Sequence, residues 1–298
     1  MTSTTNKNIL TINAYAKINL YLDVVSRYPD GYHKIESVMQ SVSLCDTLYV
    51  SEAPYPRLNV ECSRAELGGA RNLAYRAGEA LRLHTGVRAG ATINIQKKIP
   101  VAAGLAGGSA DAAATLFGLN QLWGLYLPEE QLKEIAVQLG ADIPFCLTGG
   151  TMFAEGKGEV LQPLTPMPDI TLVIATPPLH VSTAEVYRAV DDAKPAPLLG
   201  KDKILAALRE RDVDKIAGSL NNLLENVVLK RYPAISEAKE CALASGGVGA
   251  LMSGSGPSIF VICRDTASAE AVAGALRAYD ASFFVETARP VPAGVEMV

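Results

Sequence analysis

Early in the chain, β-branched and aromatic residues alternate with polar ones, which is the period of a half-buried strand. The pattern predicts strands over residues 9–15, 18–25, 37–42 and 47–50, with Asp30-Gly31 marking a turn between the second and third. The period then changes. Leu73, Ala77, Ala80 and Leu81 recur at helical spacing and predict a helix over 72–83, followed by a strand over 91–99. A run of small residues, Pro100-Val101-Ala102-Ala103-Gly104-Leu105-Ala106-Gly107-Gly108-Ser109, forms a loop before an alanine-rich helix over 109–122. The next helix is expected to start at Pro128, which suits a first helical position, with Glu129 and Glu130 complementing the dipole. It ends near Gly140. Residues 149–155 and 159–164 form a strand pair around a Gly-Lys-Gly turn.

The second half has another rhythm. A strand at 170–176 precedes helical segments at 183–190, 203–209, 221–230 and 234–244. Strands at 250–253 and 258–263 flank Gly254-Ser255-Gly256-Pro257, and a helix at 268–279 and a strand at 283–288 follow. Counting the helices before the central hairpin as one layer gives β-α-β-β-α-β, the split βαβ or ferredoxin-like order. Prolines cluster at 163–168, so a boundary is expected there, giving domains 1–164 and 165–298. Two domains also fit 298 residues at roughly 150 per domain.

Composition narrows the function. Hydrophobic residues make up 49% and charged residues 19%, the balance of a soluble globular protein. A net charge of -4 with no basic stripe argues against a nucleic-acid partner. No apolar run approaches the ~20 residues needed to cross a bilayer, and the Thr/Asn-rich start lacks the build of a signal peptide. The five cysteines are scattered and form no C-x-x-C, as expected of free thiols in a reducing cytoplasm.

Several clusters carry candidate chemistry. A glycine-rich turn from strand to helix lets the backbone approach an anion, and the helix start supplies free N–H groups; a tight turn with close helix packing is the alternative. Ser109 would be the helix N-cap, alone or also touching phosphate or Mg²⁺. Asp111 would stabilise the helix start. In Gly140-Ala141-Asp142-Ile143-Pro144, the proline biases Ile143 away from helix, so Asp142 is expected where the chain turns extended, as a turn former or a functional carboxylate. Lys17 and Asn19 share one face of a strand, either a solvent-facing edge or a lysine placed to pair with an aspartate. Tyr32 and His33 suit a planar ring or a plain surface loop. The three histidines show no metal-ligand spacing, and there is no G-x-S-x-G, H-R-D or D-F-G. Glycines in the second loop either supply positive φ in a hairpin or, with the first loop, hold a ligand in a cleft.

In this order the pieces resemble the GHMP kinase superfamily, through residues 14–22, 100–114 and 251–258. Residues 14–20 with 27–33, and 139–145, are similar to the branch that acts on a cytidine diphosphate derivative in isoprenoid precursor synthesis, rather than on homoserine, mevalonate or a sugar. The resemblance implies an α+β fold of two domains: an N-terminal ribosomal-protein-S5-like ATP domain and a C-terminal ferredoxin-like split βαβ domain. It implies ATP-dependent phosphorylation of an alcohol, with Asp142 as the catalytic carboxylate and Lys17 paired with it. Pro100, Ala102, Ala103, Gly104, Leu105, Ala106, Gly107, Gly108 and Ser109 would wrap the ATP phosphates, with Ser109 near Mg²⁺. Asn19, Tyr32, His33, Ser182, Thr183, Tyr187, Gly254 and Ser255 would line the substrate site. Tyr187 would stack on the base opposite Tyr32, and His33 would bond its edge. Monomer and homodimer stay open. Ala106 stands where the family often has glycine, and its methyl is expected to exclude positive φ.

Overall fold

The alternating pattern does not break where the sequence suggests. In a computed structural model describing residues 9–198 and 200–298, β1 (Ile9–Arg27) and β2 (His33–Ala53) are single long strands. The Thr/Asn-rich residues 1–8 lie outside the described residues. The strands pair antiparallel, with register shifts between Tyr15 and Ala16, Asn19 and Tyr21, and Val24 and Ser26. Extra residues at such bulges bend and twist a strand without ending it. The bent hairpin therefore offers different partners along its length.

The second half of β2 pairs with β4 (Gly90–Gln96), to which the short β3 (Leu58–Cys62) adds in parallel. The first half of β2 pairs with β5 (Thr151–Gly156), which forms the expected hairpin with β6 (Val160–Pro163). Helices α1 (Leu73–Thr85), α2 (Gly107–Leu122), α3 (Glu129–Val137) and α4 (Ile143–Thr148) pack on this sheet or on one another. Helix α2 lies closest. A Cβ at Gly118 would sit 2.3 Å from Ile12 Cδ1, so small residues set the helix–sheet distance. Ile12, Ile18, Leu48, Ile93 and Leu119 are fully buried here. Burying each such side chain is worth about 1.5–3 kcal/mol.

The later residues build β7 (Thr171–Thr176), α5 (Thr183–Ala193), α6 (Lys201–Glu210), α7 (Val213–Gly218), β8 (Asn221–Asn222), α8 (Glu225–Arg231), α9 (Pro233–Ala244), β9 (Gly249–Met252), β10 (Ile259–Cys263), α10 (Thr266–Tyr279), β11 (Phe284–Ala288) and β12 (Val295–Met297). A four-stranded antiparallel sheet runs β11-β7-β10-β9, the spatial order of a ferredoxin-like split βαβ. The fold is α+β, as expected.

One predicted helix is split. Residues 221–230 begin as β8, pairing with Tyr21 and Leu22, and turn helical only at Glu225. The Asn222 side chain accepts the Leu224 N–H, a local bond that competes with helix at this point. Both β8 and β12 join β1, so the larger sheet takes strands from both halves of the chain.

Candidate active site

A cavity of about 920 Å³ lies between the glycine loop before α2, the β1–β2 hairpin, the start of α5 and the loop between β9 and β10. Its lining includes Lys17, Asn19, Tyr32, His33, Ala102, Ala103, Gly104, Ala106, Gly107, Gly108, Ser109, Asp142, Thr183, Tyr187, Gly254 and Ser255. Three expected residues stand outside it. Leu105 turns its side chain into the core, 1% exposed, and offers only its carbonyl, which accepts the Lys17 N–H at 3.1 Å. Ser182 caps α5 by accepting the Glu185 N–H. Pro100 leads into the loop without reaching the space.

The loop curls through positive φ at Ala102 (52°), Gly104 (77°) and Ala106 (57°). Ala106 thus adopts the conformation its methyl was expected to exclude. The left-handed region costs an alanine about 1–2 kcal/mol, and the surrounding bonds offset it. The Ala106 carbonyl accepts the Ala110 N–H at 2.9 Å, closing the first turn of α2. Ser258 N–H donates to Ala103, and Ser253 Oγ donates to Gly104 O at 2.8 Å. Ala106, not Ser109, is the N-cap; Ser109 lies inside the first turn, with its residue facing the cavity. The start of this long helix gives the loop unpaired N–H groups and a positive dipole end, suited to phosphate.

Lys17 and Asn19 lie in a stretch of β1 buried on both faces, so the solvent-facing edge is excluded: they are 5% and 1% exposed. Lys17 Nζ donates to Asn19 Oδ1 at 2.6 Å, Asn19 Nδ2 to Ser37 Oγ at 2.8 Å, and Ser37 Oγ to the Tyr21 carbonyl at 2.7 Å. The chain of bonds fixes which end of the Asn19 amide meets the ammonium. The expected direct pairing of Lys17 with Asp142 is not formed; among the described residues Lys17 makes no ion pair within 4.0 Å. Asn19, two residues along the same strand face, takes the lysine instead. Both charges are felt by the buried Cys146 thiol. Burial pushes the Cys146 thiol up, Asp142 adds to this and Lys17 opposes it. A Cβ at Gly254 would lie 3.3 Å from Lys17 Nζ, so the ammonium sits under the second glycine loop.

Ser37→Ala removes the middle of this relay and leaves the Asn19 amide free to turn. We expect kcat to fall about tenfold, with the KM for ATP little changed, because a misplaced reacting group costs rate more than binding. Wild-type kcat in a folded variant would show that the relay does not position Lys17.

Asp142 does not stand where the chain turns extended. It is helical (φ −80°, ψ −17°) and begins α4, with Pro144 in the first turn, where a proline lacks no bond. Its carboxylate makes no hydrogen bond to the described residues and borders the cavity.

At the other end, the His33 and Tyr187 rings stack at 4.8 Å with an interplanar angle of 26°. Burial, then the charge of Asp142, pushes the Tyr187 phenol up. Tyr32 is 61% exposed and has Lys157 Nζ 4.1 Å above its ring, while Lys157 pairs with Asp30. Thr183 Oγ1 and Ser255 Oγ lie 2.8 Å apart, and Asn222 Nδ2 donates to the Met252 and Gly254 carbonyls, holding the second loop. Sequence reasoning missed Asn222, Lys157 and Arg27. Arg27 lies within the family stretch 27–33 and Lys157 in the Gly-Lys-Gly turn, but neither stretch says which side chain faces the cavity, and Asn222 acts from an element distant in sequence.

Behind the glycine loop, Lys97 Nζ bonds both Asp46 and Asp111. Burial alone would lower Lys97, but the two carboxylates outweigh it and hold the lysine above its ordinary value. Asp46 also accepts the Lys98 and Ile99 N–H groups, whereas Asp111 Oδ1 has no partner among the described residues. Burial pushes Asp111 up to about 8, against the pull of Lys97 and with the push of Asp46. The native state therefore holds this proton to higher pH than the unfolded chain does. Its contribution to stability is fully present below about pH 4 and is lost as pH rises through about 8. Asp111→Asn cannot ionise, so its Tm is expected to gain on the wild type between about pH 4 and about pH 8; parallel curves would remove Asp111 from this role.

The GHMP kinases N terminal domain matches residues 72–150, and the GHMP kinases C terminal domain matches residues 204–281. The 4-diphosphocytidyl-2-C-methyl-D-erythritol kinase of Pelotomaculum thermopropionicum is 46% identical over 93% of this chain and 97% of its own. That of Gloeobacter violaceus is 47% identical over 89% of each chain. A crystal structure of 4-(cytidine 5'-diphospho)-2C-methyl-D-erythritol kinase superposes with a TM-score of 0.79 at 35% identity, covering 94% of this chain and 99% of that one. Homoserine kinase from Cytophaga hutchinsonii shares the fold with the same TM-score of 0.79 at 19% identity, covering all of both chains. With both family domains matched and relatives at 46% and 47% identity over most of its length, this chain belongs to the GHMP kinase family.

Proposed function

We propose that the chain transfers the γ-phosphoryl group of ATP to the 2-hydroxyl of 4-diphosphocytidyl-2-C-methyl-D-erythritol, a step toward isoprenoid precursors. The observation that carries the reaction type is an unbonded carboxylate, Asp142, bordering the same cavity as Lys17 and the glycine loop. The cytidine end rests on the His33–Tyr187–Tyr32 corner, and on the relatives' substrate.

In this reading Asp142 takes the proton of the substrate hydroxyl as its oxygen bonds to the γ-phosphorus and the bond to ADP breaks. Phosphoryl transfer asks little covalent work of a protein, so positioning and charge stabilisation carry the rate. Lys17, held by Asn19, faces the transferring group with its positive charge. The glycine loop and the start of α2 hold the phosphates, and Ser255 and Thr183 close the cleft from the far side. Among the described residues no cluster of three His, Cys, Asp or Glu would hold a metal alone. The donors present suit Mg²⁺ carried by the nucleotide, with Ser109 as its protein neighbour. Bound there, it would neutralise charge on the phosphates.

Division of labour is part of the proposal. Residues 1–164 supply the glycine loop, Lys17, Asp142 and, in Tyr32 and His33, one side of the base-binding corner; residues 165–298 add Tyr187 to that corner and close the cleft with Thr183, Gly254 and Ser255. The five free cysteines fit a cytoplasmic location. No helix among the described residues is long and apolar enough to cross a membrane.

The test is ADP release with Mg·ATP on the cytidine compound, homoserine, mevalonate and galactose, with CMP as competitor. Turnover of the cytidine compound alone, inhibited by CMP, is expected. Turnover of another alcohol instead would discard the base-reading corner and keep the phosphate loop.

A further inference from the structure

Asp191 lies near the end of α5 and reaches the start of β2. Its Oδ1 is 2.7 Å from His33 Nε2, and its Oδ2 is 3.2 Å from Arg27 Nη1. The His33 side chain is 9% exposed, and its face is covered by Tyr187. The imidazole is thus held by an edge and a face. A carboxylate only accepts, so the hydrogen of this bond sits on Nε2. In the neutral ring Nδ1 is then a bare lone pair. Nδ1 has no partner among the described residues, and His33 lines the cavity.

We propose that Asp191 is a positioning residue that makes this corner select a 4-amino pyrimidine. By keeping the ring proton on Nε2, it presents Nδ1 as an acceptor. Cytosine offers an exocyclic amino donor at its 4-position, whereas uracil offers a carbonyl acceptor there, as thymine does. An acceptor facing an acceptor leaves both unpaired, and a site built to bond one polar group strongly rejects its opposite. Arg27, on the second oxygen, keeps the carboxylate turned toward the ring and balances its charge. The other charges lining this end are Asp30 and Lys157, paired with each other, and Arg188, whose Nε donates to the Ala184 carbonyl. The inference rests on the proposed cytidine-bearing substrate.

The test is Asp191→Asn, assayed at about pH 8, where an ordinary imidazole is neutral. Its amide can turn an N–H toward Nε2, moving the ring proton to Nδ1. The wild type is expected to prefer the cytidine substrate over its uridine counterpart in kcat/KM. In the variant that preference should fall about tenfold or more, through a loss on cytidine and a gain on uridine. Nitrogen-15 NMR of the wild type should show a protonated Nε2 and a bare Nδ1 on His33, a readout that does not depend on the variant folding. A protonated Nδ1 in the wild type, or an unchanged preference in a folded variant, overturns the proposal. No turnover of the cytidine compound by the wild type would instead fell the proposed function, and the base selection with it.

Discussion

Asp142→Asn is expected to cut kcat by about a hundredfold or more while ATP affinity and Tm stay near the wild-type values. The change is isosteric. It removes only the ability to take a proton and one negative charge. The carboxylate makes no bond to the described residues, and α4 begins without a side-chain cap, so nothing in the fold leans on it. Lys17 keeps its place because Asn19, not Asp142, holds it. Nucleotide binding, by calorimetry, should therefore separate cleanly from turnover. Near-wild-type kcat would remove Asp142 from the reaction, and a matching loss of ATP affinity would make it a binding residue.

Gly104→Ala is expected to unseat the loop itself. At φ +77° an alanine is strained, and its Cβ would lie 2.1 Å from the Ser253 carbonyl oxygen, a backbone atom that cannot step aside alone. The two glycine loops would have to part, breaking the bond from Ser253 Oγ to Gly104 O. A loss of about 2–4 kcal/mol in stability is expected, from strain and overpacking together. Affinity for ATP should fall about tenfold or more, since a site displaced by an ångström loses much of its fit. Gly108→Ala is the contrast. It is helical, has open space at its Cβ and lacks positive φ, so it should be neutral or gain up to about 1 kcal/mol. Denaturant midpoints at unchanged slope decide it; equal stability of the two variants would show that the loops yield easily.

Much of the site was legible because small residues and proline punctuate it locally. The strand–glycine loop–helix start, Asp142 beside Pro144 and the second glycine loop are short-range signals, and the cavity collects all three. Most of what was missed is non-local. Bulges are invisible in a period-two pattern, so the β1–β2 hairpin looked like four strands. Ala106 shows the limit of residue preference: tertiary bonds hold it where its own chemistry would not. Lys97 meets Asp46 across 51 positions, and Asn222 reaches the second loop across 32, with no spacing rule to announce either. The Asn19 amide intercepts Lys17 before Asp142 although the two share a strand face two residues apart; which partner takes the lysine is a side-chain choice decided by packing.

The return of β12 to β1 bears on how the chain is made. Residues 12–14 find their outer partners at 295–297, and Ser43 and Ser41 bond Arg289 and Val291. During synthesis that edge of the larger sheet stays bare until residues 295–297 have left the ribosome. A bare strand edge is a template for pairing with another chain. Nascent copies crowded on one messenger would thus be exposed to one another until β12 is made, and a chaperone that shields the first hairpin should raise yield more than one acting on the finished protein.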